Sequence, residues 1–203
     1  MTERYRLSFT TGGLFLPEAP AVAERYLALR DWERARAEVR ETNLLQVRTA
    51  AASTRISKEV VARLELLDPE ELELLVDSSL RDRAWLLWVA ACRRYAFARD
   101  FAREVVREHF LLMRRQLTSA DYDAFVNSKA LWHAELDSLA LSTRRKLRQN
   151  LFRMLREAGL VSEQLVIQPV VLPPALAQLL AKRGPDQLLV FPASDAEIKR
   201  WLK

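Results

Sequence analysis

The chain has 203 residues, half of them hydrophobic and 29% charged, with a formal net charge of +5. It is too apolar for a disordered protein and long enough to bury one large or two small cores. Four glycines leave little from which to build a phosphate-cradling loop, and a single cysteine, Cys92, excludes an intrachain disulfide.

Scarce glycine and abundant Leu, Ala, Arg and Glu favour a mainly helical protein. Residues 7–16 read as an extended lead-in with a turn at Gly12-Gly13, and Pro17 opens a helix to about residue 30. Asp31 caps a second helix to about residue 45, on which Trp32, Ala35 and Val39 recur at helical spacing. Residues 49–54 are small and polar and predict a loop. Ser53 or Thr54 then caps a third helix with the stripe Ile56, Val60, Leu64 and Leu67. Asp68-Pro69-Glu-Glu is a strong start signal for a fourth helix, ending near Asp77. A long apolar helix over 80–97 carries Trp85, Leu86, Val89, Cys92 and Phe97. Asp100 is expected to cap the next helix, over 101–115.

Composition changes at Thr118-Ser-Ala-Asp121. This divides the chain into a helical N-terminal unit, 1–117, and a C-terminal unit, 118–203. Helices are predicted at 119–129, 133–141 and 142–158, followed by a strand at 165–167, a short helix at 173–182, a strand at 188–191 and a last helix at 194–202. Helix, strand, excursion, strand is the order of a winged helix, so the second unit is expected to be winged-helix-like with a short two-stranded sheet.

The 142–158 segment is the most informative. On a helical wheel Leu147, Leu151, Met154, Leu155 and Ala158 share one narrow face, while Arg145, Arg148, Gln149 and Arg156 lie opposite, flanked by Arg144, Lys146 and Arg153. Ser142 or Thr143 is the expected N-cap, and Gly159 a left-handed stop. Within the segment only Glu157 offsets these cations, whereas a merely solvated face usually alternates its signs. Such a helix suits the major groove of DNA. Phe152 falls on the basic side, where solvation gives it no reason to be. It either packs against a neighbouring element or touches a base edge or sugar, and packing is the expectation.

Charge is segregated elsewhere too. Residues 65–82 are acidic. Residues 93–115 are basic but interleaved with Asp100, Glu104 and Glu108, with which Arg103 and Arg107 can pair. Segregated charge points to nucleic acid more than a uniform excess does. An enzyme is not expected. His109 and His133 sit on separate helices with no ligand spacing, so no metal or other cofactor is implied. Cys92 fits a core thiol better than a nucleophile paired with His109. Asp121, Asp123, Glu135 and Asp137 read as helix starts and exposed faces, and the five tryptophans mostly as core or interface residues, not a stacking platform. The chain opens without a signal-like pattern, and the apolar stretch 84–98 is interrupted by Arg93 and Arg94, so a cytoplasmic protein without a membrane span is expected.

Four stretches carry a family resemblance. They are Tyr5-Arg-Leu-Ser-Phe-Thr-Thr-Gly-Gly-Leu-Phe, then Ser53-Thr-Arg-Ile-Ser-Lys-Glu-Val-Val-Ala-Arg-Leu, then Arg93-Arg-Tyr-Ala-Phe-Ala-Arg-Asp-Phe, and the basic helix from Leu141 to Leu160. In order and at similar overall length, they resemble the BrxA family, small proteins of the BREX bacteriophage-exclusion systems. The resemblance implies a helical, non-enzymatic DNA-binding accessory protein that works beside a methyltransferase, ATPases and other BREX components, with no cofactor. It supplies no site residues. Those rest on the wheel, which assigns Arg145, Arg148, Gln149 and Arg156 to the groove and Arg144, Lys146 and Arg153 to flanking phosphates. The expected partner is therefore double-stranded DNA, bound mainly through phosphates with low sequence specificity. A protein-interaction scaffold and an RNA-binding protein are the alternatives, and neither a membrane nor a small-molecule substrate is expected.

Overall fold

The computed structural model describes residues 4–202, so the outer ends of both expected units, residues 1–3 and 203, lie outside the described residues. The protein is mainly helical, as its composition implies. Helix α1 (Glu18–Leu29) follows Pro17, and α2 (Trp32–Glu41) is capped by Asp31, whose carboxylate accepts from the backbone N–H groups of Glu33 and Arg34 at 2.9 and 3.0 Å. It stops short of residue 45, because Asn43 and Gln46 turn into the left-handed region at φ 46° and 51°. Helix α3 (Ala50–Leu64) starts earlier than expected, with Thr49 rather than Ser53 or Thr54 as its cap. Three alanines at 50–52 carry enough helix propensity to make the predicted loop its first turn. Helix α4 (Pro69–Asp77) begins as its proline and carboxylates predict.

Every residue from Ala84 to Cys92 in α5 (Leu80–Arg94) is buried, which makes this all-round apolar helix the centre of the core. It does not continue to Phe97. The chain turns at Tyr95 (φ −121°, ψ 91°), whose ring is fully buried and whose hydroxyl donates to Glu59. Beyond the turn, α6 (Ala96–Phe101), a π-helical stretch (Ala102–Arg107) and α7 (Glu108–Leu111) follow without a break. Asp100 therefore lies inside a helix instead of capping one, and accepts from the hydroxyl of Tyr5 at 2.8 Å.

Helix α8 (Ser119–Ala130) opens with a reciprocal Thr118–Asp121 capping box. Helix α9 (Ala134–Asp137) is one turn only, shorter than the 133–141 expectation. Then come α10 (Leu141–Glu157), α11 (Pro174–Ala181), a 3-10 turn (Pro185–Gln187) and α12 (Asp195–Trp201), capped by Ser194.

The expected pairing of 165–167 with 188–191 does not form, and the described residues contain two isolated bridges instead of a two-stranded sheet. Leu165 has φ 61°, and its N–H closes a turn on Ser162 O at 2.9 Å. Val166 then bridges to Gln116, and Ile167 to Val161. Residues 188–191 coil through successive turns, with Leu188, Val190 and Phe191 buried and Val190 O accepting from Trp88 Nε1 at 3.1 Å. A four-residue apolar run fits a buried turn as well as a strand, and its spacing alone does not separate them. The buried side chains of both halves of the chain form one continuous cluster.

Candidate nucleic-acid interface

Helix α10 is held from three sides. Its predicted apolar face is buried: Leu147, Leu151, Met154 and Leu155 are 0% exposed, and Ala158 just past the helix is 2% exposed. Phe152 is buried as well, its ring 6.2 Å from those of Phe101 and Tyr122, so packing explains it. The N-terminal segment clasps the helix from another side: Asn150 Nδ2 donates to Phe9 O at 3.0 Å, and Leu14 N–H donates to Glu157 Oε2 at 2.5 Å. A Cβ at Gly13 would overlap the Glu157 carboxylate, so a side chain there would push aside the group that holds Leu14 N–H. Arg63, 2% exposed, completes the clasp by donating to Gly13 O at 2.7 Å.

The ends differ in how well the sequence announced them. Gly159 takes φ +65°, and the N–H groups of Gly159 and Leu160 return to Arg156 O and Leu155 O at 2.8 and 2.9 Å, a Schellman closure. At the start, neither Ser142 nor Thr143 caps the helix. Ala140 occupies that position, with no side-chain hydrogen bond.

The outward face carries all seven residues expected to meet DNA, but four of its six cations are paired with carboxylates. Arg144 donates through Nε to Asp123 Oδ1 at 3.2 Å, and through Nη2 to Asp123 O and Asn127 Oδ1 at 3.0 and 2.9 Å. Arg148 reaches the other oxygen of Asp123 at 3.3 Å. Arg153 pairs with Glu157 at 2.6 Å, and Arg156 lies 3.8 Å from Glu163. Lys146 donates to Gln149 Oε1 at 3.2 Å. Among the described residues, Arg145 and Lys146 have no carboxylate partner, and both are exposed. The expectation that Glu157 alone offsets the face is thus corrected: Asp123 and Glu163 join it. Six cations still face three carboxylates, and the Asp123 and Glu163 side chains are 45% and 84% exposed. Pairs this open are weak and exchangeable.

The 93–115 strip is different. Arg93 grips Glu71 with two hydrogen bonds of 2.6 and 2.7 Å at nearly buried positions. Arg103 and Arg107 pair across the fold with Asp186 and Asp195, instead of with Glu104 or Glu108. Glu104 is taken by Lys129 at 2.6 Å. The acidic stretch is also used internally: Asp68 binds Arg183, Glu70 binds Lys182 and Glu73 lies 3.7 Å from Arg30. Most of both strips is therefore fastened to the protein itself.

The other candidates take structural places. Cys92 is buried, and burial pushes its thiol far above the usual range, as expected of a core residue. His133 stacks on Tyr5 and meets Glu135, whereas His109 lies 3.7 Å from Asp121. Glu135 is held below the ordinary carboxylate range: burial pushes it up, and is outweighed by its own N–H, by Tyr5 N–H and by His133. Asp123, Asn127 and Leu141 are the site residues that sequence reasoning missed. Asp123 precedes Arg144 by 21 positions, a separation that carries no periodic signal.

A sequence model of the BrxA family matches residues 3–184. The chain belongs to the BrxA family. Among its relatives in that family, BREX protein BrxA of Escherichia coli O9:H4 (strain HS) is 29% identical over 180 residues, covering 88% of this chain and 84% of that one. The namesake in Paramagnetospirillum magneticum (strain ATCC 700264 / AMB-1) is 26% identical over 160 residues, covering 79% and 80%. A crystal structure of an uncharacterized protein from Magnetospirillum magneticum superimposes with a TM-score of 0.78 at 24% identity, over 93% of this chain and 96% of that one. The fold is shared with that protein across nearly its whole length.

Proposed function

We propose that this BrxA-family protein is a non-enzymatic component of a cytoplasmic BREX phage-exclusion system that binds double-stranded DNA, mainly through phosphates. The observation that carries the reading is the cationic face of α10. Arg145 and Lys146 are exposed, and four further guanidinium groups are paired with carboxylates that a phosphate can replace, Arg144 being held by a backbone oxygen as well. The relatives' name, BREX protein BrxA, supports membership of such a system and makes other BREX proteins plausible partners. On this reading residues 118–203 act as a winged-helix-like unit. Helix α10 is its recognition helix, and the tight turn at 160–168, bridged to 115–117, follows it in the chain and serves in place of a wing. Gln149, exposed among the arginines, is the one amide on that face able to read a base edge. With so few candidate base-reading groups on the face, low sequence specificity follows.

The test is a salt titration of binding to duplex DNA and duplex RNA of equal length. DNA binding with a steep negative slope of log K against log salt supports the proposal. Preference for RNA, or no shift near physiological salt, refutes it.

A second reading, docking of another BREX protein, is favoured by exposed Leu80 and Val171 beside a cavity of about 460 Å³ that also involves Trp85, Arg81 and Arg156. A pull-down that survives nuclease treatment supports that one.

A further inference from the structure

Helix α8 lays its Asp123 side chain against the first turns of α10, and the space in front is a cavity of about 380 Å³ lined by Asp123, Leu141, Arg144, Arg145 and Arg148. Three arginines line one concavity, with a single carboxylate between the guanidinium groups of two of them. The carboxylate is shared: one oxygen takes Arg144 at 3.2 Å, the other Arg148 at 3.3 Å, both at the long end of charge-assisted hydrogen bonds. Arg145 lines the same cavity without entering this arrangement. Arg144 is also fixed independently of the carboxylate, by the backbone oxygen of Asp123 and by Asn127 Oδ1. Removing the charge at 123 therefore leaves that guanidinium aimed into the cavity.

We infer that this cavity is a seat for one phosphate group, and that Asp123 fills the phosphate's electrostatic place in the free protein. The inference rests on the proposed DNA-binding reading and deepens it. A phosphodiester offers acceptor oxygens in the geometry the guanidinium fork prefers, and can engage Arg145, which Asp123 does not reach. Binding a phosphate here displaces an exposed carboxylate, so the seat costs little to open. The same carboxylate repels every anion that approaches and so weakens capture of isolated ones. Asp123 thereby sets a threshold: a polyanion that engages several cations of α10 at once displaces it, whereas a lone phosphate does so poorly. Leu141, 71% exposed at the rim, gives the seat an apolar wall against which a deoxyribose fits.

The decisive substitution is Asp123→Asn, which keeps the shape and removes the charge. Asp77→Asn, an exposed position at the end of α4, makes the same change in net charge away from the cavity. Two readouts are taken on the full chain: affinity for a fluorescent duplex across a salt series, and protection from thermal unfolding by inorganic phosphate at constant ionic strength. The inference predicts about fivefold tighter duplex binding for Asp123→Asn in dilute salt, a slope steeper by about one unit, and measurable protection by phosphate. Asp77→Asn should reproduce none of these. Equal effects of the two substitutions, or weaker binding by Asp123→Asn, overturn the inference. If neither form binds duplex but phosphate protects Asp123→Asn selectively, the seat stands and the DNA reading falls.

Discussion

Replacing Arg145, Arg148 and Arg156 together by alanine separates binding from folding. Each cation that neutralises a duplex phosphate contributes about 0.9 to the slope of log K against log salt, hence about eightfold in affinity at about 0.1 M salt relative to 1 M. Arg145 and Arg148 share one phosphate and Arg156 meets another, so the two contacts are worth about 60-fold, and their loss should flatten the slope by about 1.8. Stability should hardly change. Arg145 is exposed, and the Arg148 and Arg156 side chains are 30% and 31% exposed against partners that are more open still. Surface pairs of this kind contribute about 0.2–1 kcal/mol each, and alanine sustains the helix at least as well as arginine. Fluorescence anisotropy across a salt series measures the first effect, and thermal unfolding monitored by circular dichroism the second. A triple variant that keeps full affinity and slope refutes the assignment of this face. Lost binding with a collapsed melting temperature shows instead that these arginines hold the fold.

Three further outcomes follow from the contacts around that face and beneath it. Glu71→Gln leaves the nearly buried Arg93 guanidinium without its counter-charge and should cost about 3–5 kcal/mol in urea unfolding; a loss under about 1 kcal/mol contradicts the role given to the pair. Gly13→Ala drives a methyl group into the Glu157 carboxylate that holds Leu14 N–H, and should cost about 1–3 kcal/mol. Because the clash needs both partners, adding Glu157→Ala should cost less than the sum of the two single changes, and strict additivity would remove the explanation. Arg183, hydrogen-bonded to Asp68, holds that carboxyl below its ordinary value, so the folded state binds the proton less readily than the unfolded chain. The stabilisation from the pair is accordingly complete above the unfolded value of about 3.9 and lost as pH falls through the folded one. The stability gap between wild type and Asp68→Asn should be flat at neutral pH and close below about pH 4; a gap that persists unchanged in acid contradicts it.

Much of the helical order was legible because its signals are local. Asp31 before Trp32, Asp68 before Pro69 and Gly159 after Ala158 each act within one turn of the chain, and each stands where the residues placed it. The misreadings share a different cause. Leu80 to Phe97 reads as one helix by spacing, but the buried Tyr95 and its bond to Glu59, 36 residues earlier, accompany a turn there. Leu188 to Phe191 reads as a strand because apolar residues are all that burial requires of either conformation, and Trp88 from α5 binds its backbone as a turn.

The same division runs through the functional surface. The sequence by itself determined that α10 is amphipathic, which side it buries and that the opposite side is rich in arginine, since a 3.6-residue period fixes faces without reference to any other element. Only the tertiary structure decided how much of that charge is free. It brought Asp123 from another helix and Glu163 from beyond the stop into reach of Arg144, Arg148 and Arg156, and left Arg145 and Lys146 without carboxylate partners among the described residues. Ion pairing depends on distance through space, and residues far apart in the chain come within a few ångströms only when the core they share has been packed.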